Sequence, residues 1–227
     1  VRHQRPKQLI SLLLVALTLF SFGCRNVYYA TWEKLGKQKR DLLKDQVAEV
    51  RQEEKEAAEQ FKDALTRLKE LYHFEGGKLE TLYNRLKSEY DASSKKAEAV
   101  RARIRKVDQI ASDLFAEWTK ENESISNPKL RASSREKLNL TKERFAKLYA
   151  ALVRAEKSME PVLTQFRDQV MYLKHNLNAQ AIAALKGESV DIETEITRLI
   201  SEMNASISEA DSFIKAMQTE ASEPVER

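Results

Sequence analysis

The chain reads as an all-α protein, an elongated antiparallel coiled-coil helical bundle of three to four long helices, and three features predict it. Charged residues make up 33% of the sequence, whereas there are only five glycines and four prolines, a balance that favours long amphipathic helices. Apolar residues recur in alternating steps of three and four, which places a single stripe on one face of each helix. The breakers collect in three short clusters: Phe74, Glu75, Gly76 and Gly77; Ser126, Asn127 and Pro128; Lys186, Gly187, Glu188 and Ser189. These punctuate four helical segments, at 30–73, 78–125, 128–185 and 190–220.

The first element precedes the helices. Arg2, Arg5 and Lys7 form a basic start, Leu9 to Phe22 an apolar run, and Gly23 precedes Cys24, the only cysteine. This is the layout of an export signal, and it resembles a bacterial lipoprotein signal, with Gly23 and Cys24 matching the cleavage box and Ser21 and Phe22 departing from it. The expectation is a signal peptide over 1–23 and a lipid-attached N-terminus over 24–29, with diacylglycerol and an N-acyl chain on Cys24 and no other cofactor. The alternative is an uncleaved anchor, for which the apolar run falls short of the roughly 18 residues a span requires. Arg25, where an aspartate would favour inner-membrane retention in similar lipoproteins, points to the periplasmic face of the outer membrane. Without residues 1–23 the 39 basic residues fall to 36 against 35 acidic ones, so the positive charge belongs to the signal and is no footprint for nucleic acid.

The first helical segment carries Leu43, Val47, Val50, Ala57, Phe61, Ala64, Leu68 and Leu71 on one stripe, interrupted by Glu54. The second is the most regular, with Leu79, Tyr83, Leu86, Tyr90, Ser93, Ala97, Val100, Ile104, Val107, Ala111, Leu114 and Trp118. The third carries Leu138, Phe145, Leu148, Leu152, Ala155, Met159, Val162, Phe166, Val170, Leu173 and Leu177, with a stutter around Phe166 and a bend expected at Pro161. The fourth carries Ile192, Ile196, Leu199, Met203, Ile207, Ala210, Ile214 and Met217. Residues 221–227 read as a disordered tail, and 30–220 as one bundle domain. Short connections force successive helices antiparallel, and at 1.5 Å per residue the first three segments would extend about 65 to 85 Å.

Two stretches carry a family resemblance: Tyr28 to Asp41, reading YYATWEKLGKQKRD, and Asp168 to Gly187, reading DQVMYLKHNLNAQAIAALKG. On these the chain resembles an uncharacterised family of bacterial coiled-coil lipoproteins, classified as a domain of unknown function, over essentially its full length. The resemblance implies an envelope protein and assigns no activity and no site residue.

Catalytic chemistry is not legible. Beyond the signal only His73 and His175 remain, without converging ligands for a metal. Glu70 with His73 is the only Glu-x-x-His pair, where a di-iron bundle uses two. Gly36 and Lys37 lack the upstream glycine and the Ser/Thr of a phosphate loop. The expectation is a protein that is not an enzyme, without metal, small-molecule substrate or nucleic-acid partner.

Two clusters stand apart from the heptads. Tyr28, Tyr29 and Trp32, followed by Lys34, Lys37, Lys39 and Arg40, suit a membrane-proximal contact. His175, Asn176, Asn178 and Gln180, together with the turn residues Glu75, Gly76, Gly77 and Gly187, are the candidate partner contacts; the plainer reading of the Asn and Gln residues is solvent exposure or helix register. The expected function is a lipid-anchored periplasmic coiled-coil protein serving as envelope spacer, scaffold or interaction module, binding an envelope protein or itself. The alternative is a periplasmic helical chaperone or lipid- or peptide-binding module, with Met159, Met171, Met203 and Met217 lining an adaptable groove.

Overall fold

A computed structural model describes residues 28–32, 34, 36–73, 76 and 78–222. Cys24, Glu75, Gly77 and the apolar run from Leu9 to Phe22 lie outside the described residues. The chain divides into two compact units, Val1–Leu42 and Leu43–Arg227. Among the described residues there is no strand, and no helix is long and apolar enough to cross a membrane.

In the first unit, residues 28–32 and 34 are helical, and Gly36 ends the helix. Its φ of +78° is the left-handed conformation that glycine adopts without a Cβ clash. The Lys37 N–H donates to the Trp32 carbonyl at 3.0 Å, closing the last turn in the manner of a Schellman motif. The chain restarts as α1, Lys39–Tyr72, where the Asp41 carboxylate accepts from the Gln38 N–H at 3.2 Å, one half of a capping box. The continuous segment expected over 30–73 is therefore broken. Apolar spacing is blind to one left-handed residue, and Gly36 was the signal.

The second unit holds the rest of α1, then α2 (Leu79–Ser124), α3 (Pro128–His175), α4 (Ala179–Gly187) and α5 (Ser189–Ser222). The α2–α3 turn is made by Asn127, whose side chain accepts from the N–H groups of Lys129 and Leu130, with Pro128 in the first turn of α3. Arg131 Nε donates to the Ile125 carbonyl at 2.7 Å and seals the turn. Helix α3 continues through Pro161; the carbonyl that loses its donor belongs to Lys157, an exposed residue.

Beyond His175 the third segment departs from expectation. It stops, and α4 follows as a separate nine-residue helix. Asn176 turns its Nδ2 back to the Tyr172 carbonyl at 2.9 Å, while the Asn178 side chain accepts from Ala181 N–H at 2.9 Å and opens α4. Side-chain amides that compete with the helix ladder divide what periodicity joined. Leu177, expected in the stripe, is 40% exposed as a result.

The stripes make the core. Leu43, Val47, Val50, Ala57, Phe61, Ala64, Leu68 and Leu71 on α1 are all buried, as are Leu86 and Ser93 to Leu114 of the α2 stripe and Leu138 to Leu173 of the α3 stripe, while Tyr90 is half-buried. On α5 the buried positions after Met203 are Ser206, Ala210, Phe213 and Met217, where the sequence reading chose Ile207 and Ile214. Both isoleucines are only half-buried. The geometric alternation of four and three runs through Ser206, and counting apolar residues steered the assignment to its neighbour.

Cross-links show which helices adjoin. Gln60 meets Glu89 at 2.7 Å, Lys96 meets Glu53 and Glu56, and Arg103 meets Glu49, so residue numbers rise along α2 as they fall along α1. Helix α3 packs along both α2 and α5, with Arg101 bridging to Glu156 and Glu160 and Arg154 to Glu202. Arg51 with Asp211 and Lys69 with Glu193 join α1 to α5. These helices form a bundle that buries most of each stripe; the exposed ion pairs add little to its stability and help fix its register.

Phe213 packs edge-on against Phe145, with ring centroids 6.0 Å apart. Replacing Phe213 by Ala should cost about 3–5 kcal/mol of unfolding free energy, and Ile214→Ala less than about half of that; urea unfolding of both variants checks the assignment.

Candidate functional site

The sequence-derived partner contacts converge on one corner of the second unit, where α3 ends, α4 turns and α5 begins. His175, Asn178, Gln180 and Gly187 are exposed and Asn176 half-buried. Their roles are unequal. Asn176 and Asn178 spend their side chains on the helix ends, whereas Lys174 brings positive charge to the C-terminal turn of α3 that His175 shares. Gly76 is exposed, with φ +156°.

A cleft of about 470 Å³ opens at this corner, lined by Gln165, Asp168, Gln169, Tyr172, Leu185, Glu188 and Asp191. Its base is braced from α1, where the Tyr72 hydroxyl donates to Gln169 Oε1 at 2.8 Å within the core, and Lys69 reaches Glu193 at 3.1 Å. Burial pushes the Tyr72 phenol up to about 12, so it remains a hydroxyl donor throughout the physiological range. Around the cleft Met171 is 57% exposed and Tyr172 41%. Glu188 and Asp191 make no ion pair with another described residue, although Asp191 in the first turn of α5 complements the helix dipole. Acidic charge and uncovered apolar surface thus lie side by side.

Of the methionines thought to line a groove, Met159, Met203 and Met217 are buried in the core. Only Met171 is presented to solvent, because the stripe on α3 passes through Val170 and Leu173 and leaves it on the outer side.

In the first unit the three aromatics form one cluster. Tyr28 sits edge-on to Tyr29 at 5.3 Å and to Trp32 at 6.3 Å between centroids. Lys37 lies over the Trp32 ring at 5.3 Å and Lys39 over Tyr29 at 4.7 Å, close enough for cation–π attraction. Rings and cations expected to serve a membrane surface also hold one another.

The Glu70 and His73 pair does not converge. Glu70 is engaged by Arg67 at 2.7 Å, and His73 Nδ1 contacts the Lys69 carbonyl at 2.8 Å. Among the described residues no group of three or more His, Cys, Asp or Glu side chains is arranged to hold a metal ion.

One residue that sequence reasoning passed over as an interruption occupies a central place. Glu54 is fully buried in the α1 stripe. Neither carboxylate oxygen has a hydrogen-bond partner, and the hydroxyls of Ser93 and Ser206 are equally unsatisfied. Desolvation drives the Glu54 carboxyl up to about 8, moderated by Ser206 nearby, which stops short of hydrogen-bonding geometry. The signal for it lay in the spacing: Glu54 falls on the four-and-three alternation between Val50 and Ala57.

Tyr72→Phe should cost about 1–3 kcal/mol, because Gln169 Oε1 is left buried without a donor. Combining it with Gln169→Leu should cost less than the two single losses together; a double-mutant cycle by chemical denaturation measures this coupling.

No curated protein and no solved structure matches the chain. The family described as "Protein of unknown function (DUF2959)" matches residues 28–217, a span that contains the aromatic cluster, the bundle and the corner at α3, α4 and α5. The chain belongs to that family.

Proposed function

We propose that this protein is a non-enzymatic, lipid-anchored coiled-coil protein of the bacterial periplasm, a spacer or scaffold that binds an envelope protein through the corner at α3, α4 and α5. In this reading the second unit works as an antiparallel coiled-coil bundle, Cys24 carries the lipid at the periplasmic face of the outer membrane, and Tyr28, Tyr29 and Trp32 lie near the headgroups. The observation that carries it is the corner itself, where Tyr172 lines the cleft with Glu188 and Asp191, acids that pair with no other described residue, and Met171 and Leu177 on the same stretch of chain are uncovered. Uncovered apolar side chains grouped beside polar ones are a usual mark of a protein contact. The corner lies at the opposite end of the second unit from Leu43, as the Tyr72 and Lys69 contacts require. A bundle whose polar groups go to helix ends and inter-helix ion pairs is suited to holding positions, and scaffolding asks no more of it.

Photo-crosslinking residues at Glu75 and Glu188 in living cells should capture one discrete envelope protein, absent from a control at Arg105 on the exposed side of α2. Self-crosslinks alone would replace the scaffold with an oligomer, and a diffuse set of clients would favour the chaperone-like alternative. Cys24→Ala should release the protein from the membrane fraction; a variant that stays membrane-bound would mean that the apolar run is an uncleaved anchor.

A further inference from the structure

At the level of Glu54 the seams of α1 and α5 meet in polar atoms, the carboxyl and the Ser206 hydroxyl, both buried and neither hydrogen-bonded. Lys96 on α2 reaches both Glu53 and Glu56, which sets Ala97 abreast of Glu54. Arg51 with Asp211, and Lys69 with Glu193 farther along, set Ser206 of α5 at the same height. Ala97 and Ser206 are both fully buried, and neither of these small neighbours supplies a charge. On α1, Arg51 is drawn out to Asp211, its Nε left buried without a partner. On α2, Lys96 is held by Glu53 and Glu56, and Arg101 by Glu98, Glu156 and Glu160. On α3, Arg154 is turned to Glu202 of α5, while Glu209 of α5 faces Lys147. Lys55, Lys95 and Lys157 stand exposed on the outer faces, and no cation among the described residues is set against the Glu54 carboxyl.

An unpaired carboxylate enclosed in this way costs several kcal/mol, which a protein avoids by keeping the proton or by letting water in. We propose that Glu54 is a proton-controlled latch: while its carboxyl is protonated α5 lies closed along α1, and loss of the proton lets the two helices part around Ser206 until water reaches the carboxylate. Helix α5 is the element that moves. Its seam residue at this level is a serine, whose loss of contact is cheap beside that of a leucine.

The direction with pH follows from linkage. The closed state binds the proton with a value near 8 and the water-exposed state with that of an ordinary glutamate, about 4.5. The closed state is therefore fully favoured below about pH 4.5, loses ground as pH rises, and levels off above about pH 8. Over the intervening range opening increases by up to about tenfold per pH unit.

Hydrogen exchange of the full-length protein in detergent micelles, corrected for intrinsic rates, reads the opening directly. Between pH 6 and pH 8 the amides of 50–58 and 202–210 should open roughly 30- to 100-fold more often in the wild type and hardly more often in Glu54→Gln, with Glu54→Met as the substitute if the glutamine variant does not fold. A flat wild-type profile, or an equal rise in the variant, would overturn the latch. Carboxyl carbon-13 resonances of the glutamate-labelled wild type need no variant: one carboxyl should remain protonated at pH 6, and ionisation of all of them by that pH would also overturn it.

Discussion

Everything in the second unit depends on the burial of single apolar stripes. A helix with one such stripe and a charged back is unstable alone in water, since its apolar side gains nothing until another helix covers it. Each of α1, α2, α3 and α5 is of this kind, and they satisfy one another through fully buried residues such as Phe61, Ile110, Leu152, Phe166 and Ile192. The charged backs then fall into cross-helix pairs, among them Arg103 with Glu49 and Arg101 with Glu160. These pairs are largely exposed, so their contribution lies more in selecting a register than in driving association.

Against that background the polar exceptions carry the information. At the corner, Asn176 and Asn178 break a long helix and begin a short one, and the break leaves Leu177 uncovered near Met171 and Tyr172 on the outer side of α3. At the centre, Glu54 and Ser206, with Ser93 of α2, place buried polar atoms without hydrogen bonds in largely apolar seams. The corner costs little because its backbone groups are capped. The centre costs more, since removing a carboxylate from water without a partner is among the largest penalties a core can bear. Such a residue in a stripe gives the bundle a weak level and a dependence on proton concentration that the rest of the core lacks.

The stripe positions were legible residue by residue on α1 and over most of α2 and α3, because a period of three and four is a property of the chain alone. Reading α5 required a choice between Ser206 and Ile207, and between Phe213 and Ile214, that hydrophobicity decided wrongly and geometry decided the other way. Breaks were harder. Gly36 and Asn178 act through single hydrogen-bonding or conformational events, and one such event leaves the apolar pattern on either side intact. Of the candidate site, His175, Asn178, Gln180 and Gly187 were found at the surface, whereas the Tyr72 to Gln169 bond that braces the cleft joins residues 97 positions apart and leaves no local trace.

The amino-acid sequence by itself determined that the chain is helical, which face of most helices is buried, and that the family is the one described for residues 28–217, since composition and periodicity act through local energetics. Only the tertiary structure decided that Glu54 lies without a partner, that Ser206 stands beside it, and that the end of α1 braces the corner at α3, α4 and α5. Those facts depend on which helices are neighbours and at what height, and neighbours are chosen by the packing of all the stripes together.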